Sequence, residues 1–160
     1  MAPTHAAIPG STLTLPSDTE IEIVRSFAAP RELVWRAFTD PTLLRKWSGP
    51  AGSTMTVCEM DVRPNGKFRW TFAGEGLEFT TAGLIHEVDK PRRLVMESMD
   101  PDPTPEVRTM TFEESSGRTT VTIQIKAATK EVRDAMLASG MTEGMEMTYT
   151  QLDSLLTELR

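Results

Sequence analysis

From Thr19 to Phe27 apolar and polar residues alternate, with Ile21, Ile23 and Arg25 on one side and Glu22, Val24 and Ser26 on the other, the period of a partly buried strand. Pro30 then stands where a first-turn proline belongs, and Leu33, Val34, Ala37 and Phe38 recur at helical spacing up to Asp40-Pro41. A second short helix is predicted over Pro41 to Trp47, closed by the turn-forming run Ser48-Gly49-Pro50-Ala51-Gly52. Beyond it the period is two again. Strands are predicted at Met55 to Val62, Lys67 to Phe72, Phe79 to Val88, Arg93 to Met99, Val107 to Phe112 and Thr119 to Lys126. Turn-rich joints at Arg63 to Gly66, Asp89-Lys90-Pro91, Pro101 to Pro105 and Ser115 to Gly117 separate them.

The joint Arg63-Pro64-Asn65-Gly66 decides which side chains share a face. A two-residue Asn-Gly turn pairs Asp61 with Trp70 and Glu59 with Phe72, which sets carboxylates among aromatics. A three-residue turn, with Gly66 in the left-handed position, pairs Met60 with Trp70 and Cys58 with Phe72 and sets Asp61 opposite Arg69. The second register is preferred because it yields one apolar face (Cys58, Met60, Val62, Phe68, Trp70, Phe72) and one charged face (Glu59, Asp61, Arg63, Lys67, Arg69).

Lys130 to Leu159 holds no proline, and its apolar residues fall mostly three or four apart, which predicts one long helix of about 45 Å. Gly140 and Gly144 lie inside it, each costing about 1 kcal/mol relative to alanine. Met136, Met141, Met145 and Met147 surround them with flexible thioether side chains. One reading is close helix-to-sheet packing with methionine as filler, the one periodicity alone favours; the other is a pliable apolar cavity between helix and sheet. A curved antiparallel sheet of about six or seven strands, a long C-terminal helix laid across it and two short helices after the first strand make an α+β protein.

The 160 residues, 39% hydrophobic and 25% charged, suit one globular domain over 19–160, with residues 1–18 expected to form a flexible N-terminal tail. That tail lacks Lys and Arg and is broken by Pro3, Pro9 and Pro16, unlike a secretory leader. The longest apolar run, Ala135 to Ala138, is far below the roughly 20 residues of a membrane span, so no membrane association is expected. A net charge of -6 disfavours nucleic acid as a partner. The single cysteine, Cys58, precludes an internal disulfide, suits the cytoplasm, and with only His5 and His86 leaves no metal site or cofactor to be expected.

Nucleotide-binding, nucleophile-elbow and zinc-protease motifs are all missing. His86 has no second histidine or nucleophile near it in sequence, and Cys58 lies on the inward face as a small hydrophobe. Tyr149 follows Thr148 on the long helix, where its hydroxyl either points to the cavity or lies on the surface. Trp47 and Trp70 are core or cavity wall by the same alternatives.

Four stretches carry a family resemblance: Ala29 to Pro41; Leu44 to Pro50, against an "L-x-x-W-W-G-P" segment; Val57 to Phe68; and Ser139 to Gly144, against the start of a "G-M-x-x-G-W" helix. Together they resemble the activator of heat-shock-protein-90 ATPase homologue-like proteins, within the START-like (SRPBCC) superfamily, over about residues 19–159. Ser48 and Met145 depart from it, each standing where the family has a tryptophan. The resemblance implies the helix-grip fold and a deep apolar pocket between sheet and last helix. It raises the cavity reading above the packing one.

The expected function is therefore binding of a small apolar or amphipathic ligand. The candidate wall is Trp47, Met60, Phe68, Trp70, Phe72, Met110, Phe112, Met141, Met145, Thr148, Tyr149 and Leu152. An alternative is a polyketide-cyclase- or dehydratase-like enzyme in the same cavity, with Tyr149 or His86 as acid-base candidates. A co-chaperone-like interaction module that binds a chaperone ranks last.

Overall fold

The computed structural model describes residues 10–49, 53–100 and 105–159. The expectations for residues 1–9, for Pro50 to Gly52 and for most of the Pro101 to Pro105 joint lie outside these. The elements are β1 (Ser11–Thr14), β2 (Glu20–Phe27), α1 (Arg31–Thr39), α2 (Pro41–Trp47), β3 (Thr54–Met60), β4 (Lys67–Gly74), β5 (Leu77–Asp89), β6 (Arg93–Asp100), β7 (Glu106–Ser115), β8 (Arg118–Lys126), α3 (Lys130–Ala138) and α4 (Met141–Leu159).

The strands form one antiparallel sheet in the order β1-β2-β8-β7-β6-β5-β4-β3. β3 to β8 are a meander, and β2 closes onto its last strand. The helix-grip class holds, with α3 and α4 against the sheet and α1 and α2 between β2 and β3. The sheet has eight strands rather than six or seven, because β1 lies within the stretch read as tail. Leu13 pairs with Ile23 of β2, and Leu13 and Leu15 are buried, so the alternation of Leu13 and Leu15 with polar neighbours is a strand signal.

α1 and α2 start and stop where proline dictates. Pro30 precedes α1, and the Asp40 carboxylate accepts from the Thr42 N–H at 2.9 Å to cap α2, with Pro41 in its first turn. Their apolar stripe joins the sheet in an aromatic cluster: Phe38 meets Phe112 and Trp47 edge-on at centroid distances of 5.4 and 4.9 Å.

The β3–β4 register differs from the expected one by two residues. Met60 pairs with Phe68 and Cys58 with Trp70, with Glu59 opposite Arg69. The neighbouring strand widens the loop: Asn65 N–H donates to Ile85 O at 2.7 Å and Ile85 N–H to Gly66 O at 2.8 Å, drawing the turn into the ladder of β5. Asn65, not Gly66, takes the positive φ of 67°. Gly66 is required by close approach instead, since a Cβ there would lie 1.9 Å from the Asp61 carbonyl oxygen. A shift of two leaves the faces unchanged, so Cys58, Met60, Phe68, Trp70 and Phe72 still share the inner side.

The predicted long helix is two helices. Ser139 ends α3, donating its N–H to Ala135 O, and Gly140 follows at φ 82°, a left-handed position that glycine occupies without a Cβ clash. α4 starts at once and is about 28 Å long. Gly140 therefore belongs to a joint, and only Gly144 lies within a helix. No helix among the described residues is long and apolar enough to cross a membrane.

Candidate functional site

A cavity of about 530 Å³ lies between the inner face of β4 to β8, the N-terminal half of α4 and the end of α2. Alternation puts Phe68, Trp70 and Phe72 of β4 on its wall, with Met96 of β6 and Met110 of β7 further along. α4 contributes Met141, Gly144, Met145, Thr148 and Tyr149 at helical spacing, and Trp47 with Ser48 closes the α2 side. Aromatic contacts fix much of this wall: Phe68 and Trp70 lie 4.9 Å apart by centroid, Phe72 and the half-exposed Phe79 5.1 Å. Gly144 makes room as expected, since a Cβ there would meet nothing within 4 Å.

Of the expected wall, Trp47, Phe68, Trp70, Phe72, Met110, Met141, Met145, Thr148 and Tyr149 are brought together here. Met60, Phe112 and Leu152 are not on the wall. Phe112 is spent on the aromatic cluster with Trp35 and Phe38, and Leu152, fully buried, belongs to the core under the C-terminal half of α4. Met60 is partly buried against the core at the end of β3. His86 is a clearer correction. It is exposed on β5 and bonded through Nε2 to the Glu97 carboxylate at 2.6 Å, a surface pair away from the cavity. Ser48 and Met145, the two departures from the family pattern, both border the cavity.

The polar part of the wall escaped the sequence reading. Glu106 and Arg108 stand two apart on β7, so the alternation that turns Met110 inward turns them inward too. Arg108 Nε and Nη2 both donate to Glu106 Oε1, at 3.2 and 2.7 Å. Burial alone would push the Arg108 guanidinium down, but Glu106 more than offsets this and holds it above its ordinary value. Next along the sheet come Ser98 of β6, paired with Glu106 in register, and Thr81 of β5, whose hydroxyl shares a 2.8 Å hydrogen bond with that of Ser98. Thr81 in turn sits opposite Trp70. A polar row thus crosses the inner face from β4 to β7.

Tyr149 faces this row from α4. It is 4% exposed, edge-on to Phe27 at 5.7 Å and 6.1 Å from Trp47 by centroid. Burial pushes its phenol well above the ordinary value, against smaller lowering by Arg108 and Arg25, so it is a neutral donor and a poor base near neutral pH. Cys58 is buried and its thiol raised by that burial, as suits a small core residue. Among the described residues no group of three His, Cys, Asp or Glu is placed to hold a metal ion.

A second cleft, of about 390 Å³, lies by Arg25, Arg118 and Asp153. Arg25 and Asp153 are already committed to each other there, so the cavity under α4 is the candidate site.

Comparison with known proteins gives a consistent result. The family described as Activator of Hsp90 ATPase homolog 1-like protein matches residues 28–157. Among solved structures, a Rhodobacter sphaeroides protein is 31% identical with a TM-score of 0.86, over 92% of this chain and 99% of that one. Protein Ms6760 from Mycobacterium smegmatis is 29% identical with a TM-score of 0.81, over 99% and 100%. Protein NE0264 from Nitrosomonas europaea is also 29% identical with a TM-score of 0.81, over 90% and 97%. No curated protein matches.

Proposed function

The chain belongs to the family of Activator of Hsp90 ATPase homolog 1-like proteins, and from that premise we propose that it binds a small hydrophobic or amphipathic molecule between its sheet and α4. The observation that carries this reading is the cavity of about 530 Å³ with its aromatic and methionine wall. That size falls within the range of small-molecule sites, and apolar walls with a few polar groups are their usual composition. Methionines at 96, 110, 141 and 145 let the wall follow an occupant's shape with little strain. The lone buried thiol of Cys58 suits a reducing compartment, and we place the activity in the cytoplasm.

A cyclase- or dehydratase-type reaction in the same cavity is the second reading. It is favoured by the Glu106 and Arg108 pair on the wall that Tyr149 also lines, which sets a carboxylate and two hydrogen-bond donors around one space. Turnover of a bound molecule distinguishes it from carriage.

Native mass spectrometry of the freshly purified chain, compared with the same sample denatured, tests the binding reading. A reproducible adduct that leaves on denaturation supports it. A clean apo mass, together with no response of Met141 and Met145 methyl signals to naphthalene-sized apolar probes, overturns it.

A further inference from the structure

The polar row and Tyr149 show what kind of molecule the cavity is chemically complementary to, an inference that rests on the binding reading above. Three donors on the wall have no acceptor among the described residues. Tyr149 Oη has no hydrogen-bond partner among the described residues and opens onto the cavity, since the one fully enclosed side-chain atom without a partner among them is Trp70 Nε1. Arg108 places both of its bonds on one Glu106 oxygen, which leaves Nη1 unused while 31% of the side chain stays accessible. Trp70 Nε1 is buried without a partner. Against these, the spare acceptor of the charged pair is Glu106 Oε2, and the single hydrogen bond between Thr81 and Ser98 leaves one of their two hydroxyl protons to donate.

Burying a donor without a partner costs about 1–3 kcal/mol, so an occupant that covers Tyr149 Oη and Arg108 Nη1 incurs that cost unless it brings an acceptor to them. The charge balance narrows the choice. Glu106 already neutralises Arg108 at 2.7 Å, so a carboxylate or sulfonate entering the cavity would be a buried charge without a counter-ion, beside Glu106. Tyr149, held neutral by its surroundings, donates without demanding a charge in return. Tyr149 and Arg108 line the same cavity, and the row from Arg108 to Trp70 is continuous through Glu106, Ser98 and Thr81.

We infer that the occupant carries a neutral oxygen acceptor of the carbonyl class, seated by Tyr149 Oη and Arg108 Nη1, with its apolar body against the aromatic and methionine wall. A ketone, ester or amide on a hydrophobic frame meets this description. A hydrocarbon leaves the donors bare, and a carboxylate adds an uncompensated charge.

The test compares three probes of nearly equal shape on the intact chain: 2-acetylnaphthalene, 2-ethylnaphthalene and 2-naphthoate. Dissociation constants come from NMR titration, with the Met141 and Met145 methyl signals locating the site and the Trp70 indole N–H reporting on the row. The ketone is expected to bind about tenfold tighter than 2-ethylnaphthalene, although the hydrocarbon is the more water-averse of the two, and tighter than the carboxylate. Tyr149→Phe, which keeps the ring packing, should cut the ketone's advantage to below about threefold by weakening the ketone, and should not weaken 2-ethylnaphthalene, which loses only a donor it cannot use. Equal or tighter binding of 2-ethylnaphthalene overturns the acceptor inference while the cavity reading stands. Tightest binding of 2-naphthoate overturns the neutrality of the acceptor. Methyl signals unmoved by all three probes overturn the cavity reading and this inference with it.

Discussion

Arg25 of β2 and Asp153 of α4 face each other in a two-pronged ion pair, Nη1 to Oδ1 at 2.9 Å and Nη2 to Oδ2 at 2.8 Å. Glu146, about two turns earlier on the same helix, takes the remaining Nε–H, and the guanidinium lies over the Phe27 ring at 4.8 Å. Asp153 above all, and Glu146 after it, hold the guanidinium above its ordinary value despite burial. The sheet's second strand is thereby bolted to the helix that roofs the cavity. Arg25→Met keeps much of the length and apolar stem but leaves the Glu146 carboxylate, itself 12% exposed, without its counter-ion and with only the Ser11 hydroxyl donating to it. A loss of about 3 kcal/mol is expected, read as a lower urea midpoint at unchanged slope. Asp153→Asn, at a half-exposed position, should cost distinctly less.

The two glycines of the C-terminal region should respond in opposite directions. Gly140→Ala puts a Cβ on a residue at φ 82° and is expected to lose about 1 kcal/mol. Gly144→Ala adds a methyl within a helix, into open space, and should gain up to about 1 kcal/mol. Equilibrium unfolding of both variants beside the parent checks the pair, and equal effects of one sign would contradict the helix break.

Met145→Trp fills the cavity from α4 with the tryptophan that the resembled "G-M-x-x-G-W" pattern carries at this position. Met145 is only partly buried, so the added ring has room without entering the core. Folding stability should stay within about 1 kcal/mol of the parent, while 2-acetylnaphthalene binding weakens at least about tenfold. Unchanged binding with a folded protein would place the ligand elsewhere.

Tyr149 is the chain's single tyrosine, so its ionisation can be followed by absorbance without interference from another phenol. The fold raises its pKa above the ordinary 10.0, chiefly by burial. Its contribution to stability is then complete below pH 10 and is lost as pH rises above it, because the unfolded chain releases the proton first. The expected result is no tyrosinate signal until unfolding, and a stability that falls by up to about 1.4 kcal/mol per pH unit in that range. Smooth ionisation of the folded protein near pH 10 would show the hydroxyl to be solvated.

Much of this architecture is legible in the chain because period and punctuation agree. Pro30 and Pro41 fix two helix starts, and the inward side of β3 and β4 follows from alternation whatever the exact loop, since an error of two residues preserves the faces. The register itself was not legible, because it is set by Ile85, a residue far along the chain that captures Asn65 and Gly66. The break at Gly140 was hidden by an apolar periodicity that runs on across it. Spacing leaves Trp70 open between core and wall and Tyr149 open between cavity and surface, and it is the family resemblance that favours the wall for both and for Met145. The alternation that selects Met110 reaches back to Glu106 and Arg108 as well, but the sequence does not mark them as wall residues, because a charged residue turns inward only where a partner such as each finds in the other neutralises it. Leu152 and Phe112 were misplaced for the converse reason, since an inward position does not tell core from cavity wall.

The uneven burial of α4 has a mechanical meaning. From Glu146 onward the helix is clamped by the core through Tyr149, Leu152, Leu155 and Leu156 and by the Arg25 pairs with Glu146 and Asp153, whereas Met141 to Met145 line the cavity and follow directly on the Gly140 joint. α4 is a cantilever, anchored at one end and loaded at the other. On the binding reading proposed above, a deflection of the Gly140 end would change the space at Met141 and Met145 while leaving the Arg25 and leucine contacts in place, so occupants of different girth would cost little folding stability.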